Sequence, residues 1–545
     1  MSSGILGIGT SGLLAFQRGL TVTGHNIANA ATEGYSRQRV DLNTRTPQFA
    51  GNGYLGTGVE VGGVSRIFDQ FVENQLRTAT SSSAQYALFH DYAKRVDSLL
   101  ANPDSGLAPG LQRFFAAVQD VATDPTSLPA RQVMIAEAES LSDRFGFLFQ
   151  RLEDQRTLVN GQIETTVSEI NSMAQALADL NAGIVGAIGR GGGAPPNDLL
   201  DQRDRLVRDL AERINVSTVA QDDGALNVFV GNGQSLVVGS TASELVAAPL
   251  GEDPMQIGVG YAVAGGAVAD ISRFMTGGRL GALLDLRSSV LDTAQNALGL
   301  TAAGLALSFN QQHALGQDLQ GMPGGDFFKA PETQVLARPG NSATGKPVVA
   351  IADLGQLTTD DYRLRFDGTG WELRRVSNNQ PVDPAAVGLG IDTSAISGAA
   401  VGDSFLIRPT RTAAQQIGTV IDDPRGIAAA AQSGDPDRVG DNANALALGR
   451  LQDERFLAGG TATLEGAYST MIGEVGTRTR QAEIAARSQA RLVDEARSMR
   501  DSISGVNLDE EAANLLRYQQ AYQAAAQVIA VSSTLFDTLL MAVRR

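Results

Sequence analysis

His25, Asn26, Asn29 and Tyr35 crowd one stretch, "GHNIANAATEGYSRQ" from Gly24 to Gln38. An imidazole, a phenol and two amides so close together could move a proton or orient a ligand. Proton transfer needs a partner group, however, and none stands at a recognisable spacing. His25, His90 and His313 are the chain's three histidines, and each is isolated, without an H-E-x-x-H pair or a carboxylate at metal-ligand spacing. "GIGTSG", Gly7 to Gly12, has the outline of a dinucleotide-binding glycine loop. That loop needs a preceding strand to aim it at a pyrophosphate, and six residues leave no room for one. Small residues on a closely packed helix face account for it better. Asp222-Asp223, Asp360-Asp361 and Asp422-Asp423 sit where turns and helix starts call for side-chain acceptors. There is no G-x-S-x-G elbow and no P-loop. The reading is a chain that is not an enzyme, with no catalytic, cofactor-binding or metal site and no cofactor.

The stretch must therefore be read through the elements that hold it. A chain of 545 residues exceeds one hydrophobic core, so two to four domains are expected. The apolar fraction of 43% and charged fraction of 19% are those of a globular protein, and the net charge of -16 disfavours nucleic acid and anionic membranes as partners. No unbroken apolar run approaches a membrane span, and "MSSGILGIGTSGLLAF" is interrupted by glycines, so neither a transmembrane segment nor a Sec-type signal is expected. The absence of cysteine excludes disulfides and thiolate chemistry and is silent on compartment.

Both ends carry heptad patterns. Leu6, Leu13, Leu20 and Ile27 recur every seven residues, with Gly9, Phe16 and Thr23 between them. The tail repeats the pattern through Leu508, Leu515, Tyr522, Ile529, Phe536 and Val543, with Tyr518, Ala525, Ser532 and Leu539 at the second offset. Asn507 is placed to cap this tail, Asp509 and Glu510 suit its first turn, and Arg544 and Arg545 suit its end. One helix of about 36 residues, roughly 54 Å long, follows. A helix with a narrow apolar seam needs a partner, and the N-terminal helix is the expected one, the pairing being completed only in an assembly. Further long seams run from about 130 to 188, from Leu280 to Asn310, and through Leu464, Met471, Val475, Ala485, Leu492, Met499 and Ile503. They predict a bundle of long helices.

Two inserts alternate as strands do. Asp223-Gly224 and Gly231 to Gly233 mark hairpins in the first; Tyr362, Leu364 and Phe366, the turn "DGTG", then Trp371 and Leu373 mark one in the second. The expected fold is multidomain α+β: terminal helices pairing as a coiled coil (1–45 with 505–545), a long-helix bundle (46–190 with 265–320 and 411–504), a small β-rich domain (191–264) and an outer β-rich inserted domain (321–410).

"NIANAATEGYSRQ", Asn26 to Gln38, resembles the signature of the flagellar axial proteins, the rod, hook and hook-associated components, through Asn26, Asn29, Thr32, Gly34 and Tyr35. "GVNLDEEAANLLRYQQAYQAAAQVI", Gly505 to Ile529, resembles the same family's C-terminal signature. Ser36-Arg37-Gln38, "NDLLDQRDRLVRDL" (Asn197 to Leu210) and "FNQQHALGQDLQG" (Phe309 to Gly321) point within it to the hook-associated members. The resemblance implies a secreted structural protein of the bacterial flagellum that serves motility. It would be assembled by self-association into a tube, with terminal helices inside and β domains outside. It would work as an adaptor at the hook-filament junction, extracellular, after type III export without a cleaved signal peptide. The implied partners are copies of itself, the hook protein, a second junction protein, the export apparatus and an export chaperone. A hook or distal rod subunit is the structural alternative, and a wall hydrolase on an axial scaffold the enzymatic one.

Fifteen residues are expected at subunit contacts. They are the heptad rows Leu6, Leu13, Leu20, Ile27 and Leu508, Leu515, Tyr522, Ile529, Phe536, Val543, together with Phe16 and the exit residues Asn26, Asn29, Gly34 and Tyr35. Asn29 and Gly34 are expected to supply left-handed backbone, and Tyr35 an aromatic contact to a neighbour.

Overall fold

The computed structural model describes residues 2–49, 51, 53–102, 106–263, 266–432 and 440–543. The chain is mixed α+β and multidomain, with long helices and several small antiparallel sheets. Among the described residues the helices are α1 (Ser2–Ala28), α2 (Gln70–Leu100), α3 (Ala108–Thr123), α4 (Leu128–Arg190), α5 (Asn197–Arg213), α6 (Gly278–Leu286), α7 (Asp292–His313), α8 (Ala413–Gln416), α9 (Ala443–Arg450), α10 (Leu464–Ser504) and α11 (Leu508–Val543). A π-helical turn, Arg287–Leu291, joins α6 to α7.

The long helices form where the seams predict them. α4 runs for 63 residues from the Ser127 cap, with Leu141, Phe145, Leu148, Leu152, Val159 and Ile163 on its buried face. α10 differs from expectation: Leu464, Met471 and Val475 are buried, but its lower seam is carried by Thr479, Ala482 and Ala496, while Leu492 and Met499 are exposed. This face lies along α2. Tyr468 donates to Leu100 O at one end and Arg500 approaches Glu73 at the other, so the two helices run antiparallel. Small residues on both sides, Ala79, Ser81 and Ala93 of α2 and Thr479, Ala482 and Ala496 of α10, are buried on these helices.

Strands Gln38–Thr44 and Val59–Arg66 pair as an arm that packs on α1. The expected boundary at 45/46 falls inside this arm. In the small β domain, a four-stranded sheet is built from Val216–Ala220, Leu226–Val230, Gln234–Val238 and Thr241–Ala242. Its hairpins turn at Gly224 (φ 91°) and at Gly231 and Gly233 (φ 58° and 106°). Side-chain amides of α4 fasten the domain: Asn171 exchanges two hydrogen bonds with the Leu245 backbone, and Asn181 does the same with Leu226. The outer domain carries the sheet of Gln334–Ala337, Ser404–Arg408, Tyr362–Phe366 and Trp371–Arg375, with the predicted Phe366–Trp371 hairpin at one edge.

A ring of buried polar groups closes where the domains meet. Asp253, in the loop after strand Leu245–Pro249, pairs with Arg156 of α4 and with Arg408 of the outer domain at 2.8 Å. Arg408 reaches Asp361 at 3.4 Å, and Asp361 pairs with Arg411 at 2.6 Å. Arg411 meets Asp292 of α7 at 2.6 Å and donates to Gln295. Gln295 and Arg156 both reach Glu153, which completes the circuit. Beside it, Glu252 accepts two bonds from Arg363, at 2.7 and 3.0 Å, and one from Ser404.

Burial alone would raise the carboxyls of Glu252, Asp253 and Asp292. The guanidiniums of Arg363, of Arg408 with Arg156, and of Arg411 outweigh it and hold all three below their ordinary values. His313 is fully buried between Gly325 O, 2.7 Å from Nδ1, and the Ala428 amide, which donates to Nε2 at 2.9 Å. Burial lowers its pKa from 6.5, because the charged imidazolium would be cut off from water. The signs give two acid limbs. His313 stabilises fully above 6.5 and progressively less as pH falls below it. The carboxylates contribute fully above 4.5 and 3.8 and lose that contribution as pH falls through their lower folded values. Denaturant midpoints measured against pH should therefore fall in two stages. His313→Gln should abolish the upper one and Glu252→Gln should flatten the lower; an unchanged upper stage would refute the assignment to His313.

Candidate assembly interface

The terminal helices pair within one chain, and they do so across small residues. Gly9 lies against Ile529 and the Ala525 carbonyl, Gly12 against Ala525, Gly19 against the Tyr518 ring, and Asn26 against Glu511, so α1 and α11 run antiparallel. A methyl group on Gly9 would stand 2.9 Å from Ile529 Cγ1, and one on Gly19 3.0 Å from three Tyr518 ring carbons. Each glycine costs about 1 kcal/mol of helix propensity relative to alanine. The close approach of the two backbones is what it returns. Gly9, Gly12, Phe16, Gly19, Thr23 and Asn26 alternate steps of three and four and face Glu511, Tyr518 and Ala525 of α11; Ser532 is buried farther along the same heptad row.

The expected pairing of the two helices and its second heptad offset (Gly9, Phe16 and Thr23 with Tyr518, Ala525 and Ser532) lie on this contact; the leucine row, and the expectation that pairing waits for an assembly, are corrected. Leu6, Leu13, Leu20 and Ile27 lie beside the contact: Leu6 is 43% and Ile27 36% exposed, and Leu13 and Leu20 are half-buried. On α11, Leu515, Tyr522 and Ile529 are half-buried, whereas Leu508 is 55% and Phe536 51% exposed. The side chains of Leu539 and Val543, and Arg544 and Arg545, lie outside the described residues. The glycine spacing Gly9, Gly12, Gly19 was the signal for the true face.

Asn26 is the centre of the elbow. It is 1% exposed and fills both donor and both acceptor positions of its amide. Nδ2 donates to Gln38 O at 2.9 Å and to Glu511 Oε2 at 3.1 Å; Oδ1 accepts from Gln38 N at 2.9 Å and from the Tyr35 hydroxyl at 2.7 Å. One side chain thus ties α1 to the arm and to α11. His25 Nδ1 lies 3.0 Å from the same hydroxyl, with the rings edge to face. The Tyr35 hydroxyl therefore points inward, while its ring stays half-buried. Burial and the nearby charges of Asp198, Asp201 and Glu511 push its phenol well above the ordinary range, which keeps the hydroxyl a donor.

The exit is made by Asn29 and Gly34 in different ways. Asn29 has no left-handed backbone; its Nδ2 donates to His25 O at 3.0 Å and its Oδ1 receives the Thr32 hydroxyl, which closes the turn after α1. Gly34 does take the left-handed region, at φ 84°, against Arg205 and Arg208 of α5. α5, expected with the small β domain, lines the elbow. Asp201 accepts from Ser36 N at 2.9 Å and pairs with Arg66 at 2.9 Å, and Arg208 pairs with Glu73 of α2. Arg37 N donates to Ser504 O, Arg37 pairs with Glu510, and Arg500 donates to Tyr35 O. Asn507 Oδ1 accepts from Asp509 N at 3.0 Å and caps α11 as predicted.

Beyond this contact α11 leaves Val528, Val531, Leu535, Phe536, Leu540 and Met541 exposed, and α1 leaves Ile5, Leu6, Ile8 and Leu14. The stretch Leu464–Ala542 has no unbroken apolar run of membrane-spanning length, but it contains an 18-residue window of mean hydropathy 1.5, long and apolar enough to cross a membrane by composition alone.

A polar elbow between paired terminal helices and a helical body with β inserts defines an axial type of structural protein, and comparison with known families agrees. Residues 93–328 match the family described as flagellar hook-associated protein FlgK helical domain, 337–409 the flagellar hook-associated protein 1 D2-like domain, and 489–541 the flagellar basal body rod FlgEFG protein C-terminal family. Flagellar hook-associated protein 1 of Salmonella typhimurium is 37% identical over 550 residues, with 99% of each chain covered, and that of Escherichia coli K12 is 34% identical over 545 residues, again with 99% of each covered. The structure of the flagellar hook junction protein FlgK from Burkholderia pseudomallei superposes with a TM-score of 0.71 at 26% identity, covering 79% of this chain and 100% of that one. The chain belongs to the flagellar hook-associated protein 1 family.

Gly19→Val should drive the Tyr518 ring away and destabilise the α1–α11 contact by about 1–3 kcal/mol. Asn26→Ala should cost a similar amount, about 1–3 kcal/mol, for each partner left buried without a bond. Hydrogen exchange would show α1 losing protection in both variants while α4 keeps its own. Full protection of α1 in both would contradict the seam described here.

Proposed function

We infer that the chain is a structural subunit of the bacterial flagellum that self-associates and joins the hook to filament parts at the junction. The observation that carries this reading is full-length family membership, with identity of 37% over 99% of both chains. The physical form of the molecule supports it. An adaptor needs a body that is rigid alone and a surface completed by neighbours. The closed elbow supplies the first, and the exposed apolar rows of α1 and α11 supply the second.

The finer reading is that Leu6, Leu13, Leu20 and Ile27, with Leu508 and Phe536, pack against adjacent copies, so that the apolar end of α11 is covered by protein and not by lipid. Leu515, Tyr522 and Ile529 stand at the margin of that contact, and Phe16, Asn26, Asn29, Gly34 and Tyr35 fix the helix from which it is offered. The hook protein on one side and a second junction protein on the other are the proposed longitudinal partners. Delivery to the extracellular face of the flagellum by type III export, with an export chaperone and no cleaved signal peptide, completes the reading. The chain is read as a structural protein and not an enzyme: His25 and His313 are both engaged in fastening the fold.

In a strain lacking the chain, hooks should form and flagellin should escape into the medium; loss of a hook or rod subunit would stop assembly before the hook. Returning Leu6→Ser with Phe536→Ser should leave the fold stable to within about 0.5 kcal/mol per exposed site, yet fail to restore filaments. Motility and junctions equal to wild type in that strain would overturn the proposed surface.

A further inference from the structure

The outer β domain joins the helical body through only two passes of the chain, one after Phe328 and one before α8. Its apolar groups, Leu357 and Tyr362 among them, continue the core of the body. Hydrophobic contact has no preferred direction, so it holds two domains together without fixing the angle between them. Direction comes from the polar groups at the joint. Glu252 and Asp253 stand side by side in a loop of a third domain, both about 95% buried, at 5% and 4% exposure. Glu252 grips Arg363 through two parallel hydrogen bonds and takes the Ser404 hydroxyl as well, so its carboxylate is oriented by two strands of the outer sheet. Asp253 is held from behind by the Met255 amide at 2.8 Å and bridges Arg408 of the outer sheet to Arg156 of α4.

We propose that the Glu252-Asp253 turn is a latch that sets the angle of the outer β domain on the helical body. Two domains, the outer sheet and the helical body, place side chains on these two residues of a third. Buried ion pairs are poor devices for stability, since desolvation offsets most of the attraction. A carboxylate aimed by three donors is, in contrast, an effective device for selecting one geometry. The small β domain thereby acts as a wedge between its neighbours, which gives it a purpose separate from any surface contact. The inference stands on the joint alone and does not depend on the partners proposed above.

The chain has no cysteine, so single label sites can be introduced without background. Val401→Cys in the outer domain and Leu158→Cys on α4, both more than half exposed, would carry nitroxide labels on full-length protein for pulsed dipolar distance measurement. One narrow distance peak is expected. Asp253→Asn should broaden or shift it while helix content by circular dichroism stays unchanged. Because Asp253→Asn can also unfold the joint by stranding two buried arginines, the double variant Glu252→Gln with Arg363→Gln, where Arg363 is already partly open to water, provides the second arm. Broadening or a shift in the double variant supports the latch. A broad distribution in the unsubstituted chain, or a peak unchanged in the double variant, overturns it.

Discussion

Burial of one amide governs how this chain holds its ends. The Asn26 side chain is sealed from water, and every polar atom it carries must find a protein partner or cost the fold several times the worth of a single hydrogen bond. Its four bonds reach a strand, a tyrosine and a glutamate 485 positions away. No other polar side chain of similar size satisfies that set: aspartate lacks the two donors, and glutamine places its amide one methylene farther out. The rest of the elbow follows from this. Tyr35 must face inward to supply the fourth bond, α5 must approach to receive the backbone of Ser36, and α11 must start where Glu511 meets α1.

The glycine seam and the buried ring are two solutions to one difficulty. Long helices and small sheets offer limited interior volume, so domains must be fixed by contacts that occupy little space. Between α1 and α11, removal of side chains lets backbones meet, and van der Waals contact replaces bulk. Between the outer domain and the body, compact charged groups do the same work through direction. The exposed aliphatic rows are what remains once the interior contacts have been made from glycine, alanine and serine. The heptad leucines flank the α1–α11 contact, Leu13, Leu20 and Leu515 half-buried and Leu6 and Leu508 exposed.

The long helices were readable because a seam of apolar residues along sixty positions has one explanation, and α4 and α11 occupy the spans predicted for them. The hairpins at Gly224 and Gly231 to Gly233 were readable because positive φ demands glycine. The face of α1 was read only in part: the small residues Gly9 and Gly12 suggested close packing, but heptad reading weighted the leucine row beside them, and the contact is made by residues whose virtue is having almost no side chain. Glu511 and Asp201 stood inside recognised motifs without revealing what they bind, and Glu252 stood in none. Their partners lie on other elements, and a carboxylate on a helix end or in a loop reads the same whether it meets water or a guanidinium. Tyr35 was placed in a joint, but the inward bonds of its hydroxyl to Asn26 and His25 were not readable, since sequence shows which residues are near in the chain and not which way they turn.

Asn26 reaches Glu511 across nearly the whole length of the polypeptide, so the contact needs both ends of the chain at once. Local helices close over short loops, whereas this contact closes a very long one, at an entropic cost that grows only slowly with length. A chain that enters its place N-terminus first cannot satisfy its elbow until the final helix has arrived. The joint therefore tests completeness: a chain lacking α11 leaves a buried amide unanswered and its first helix without that partner.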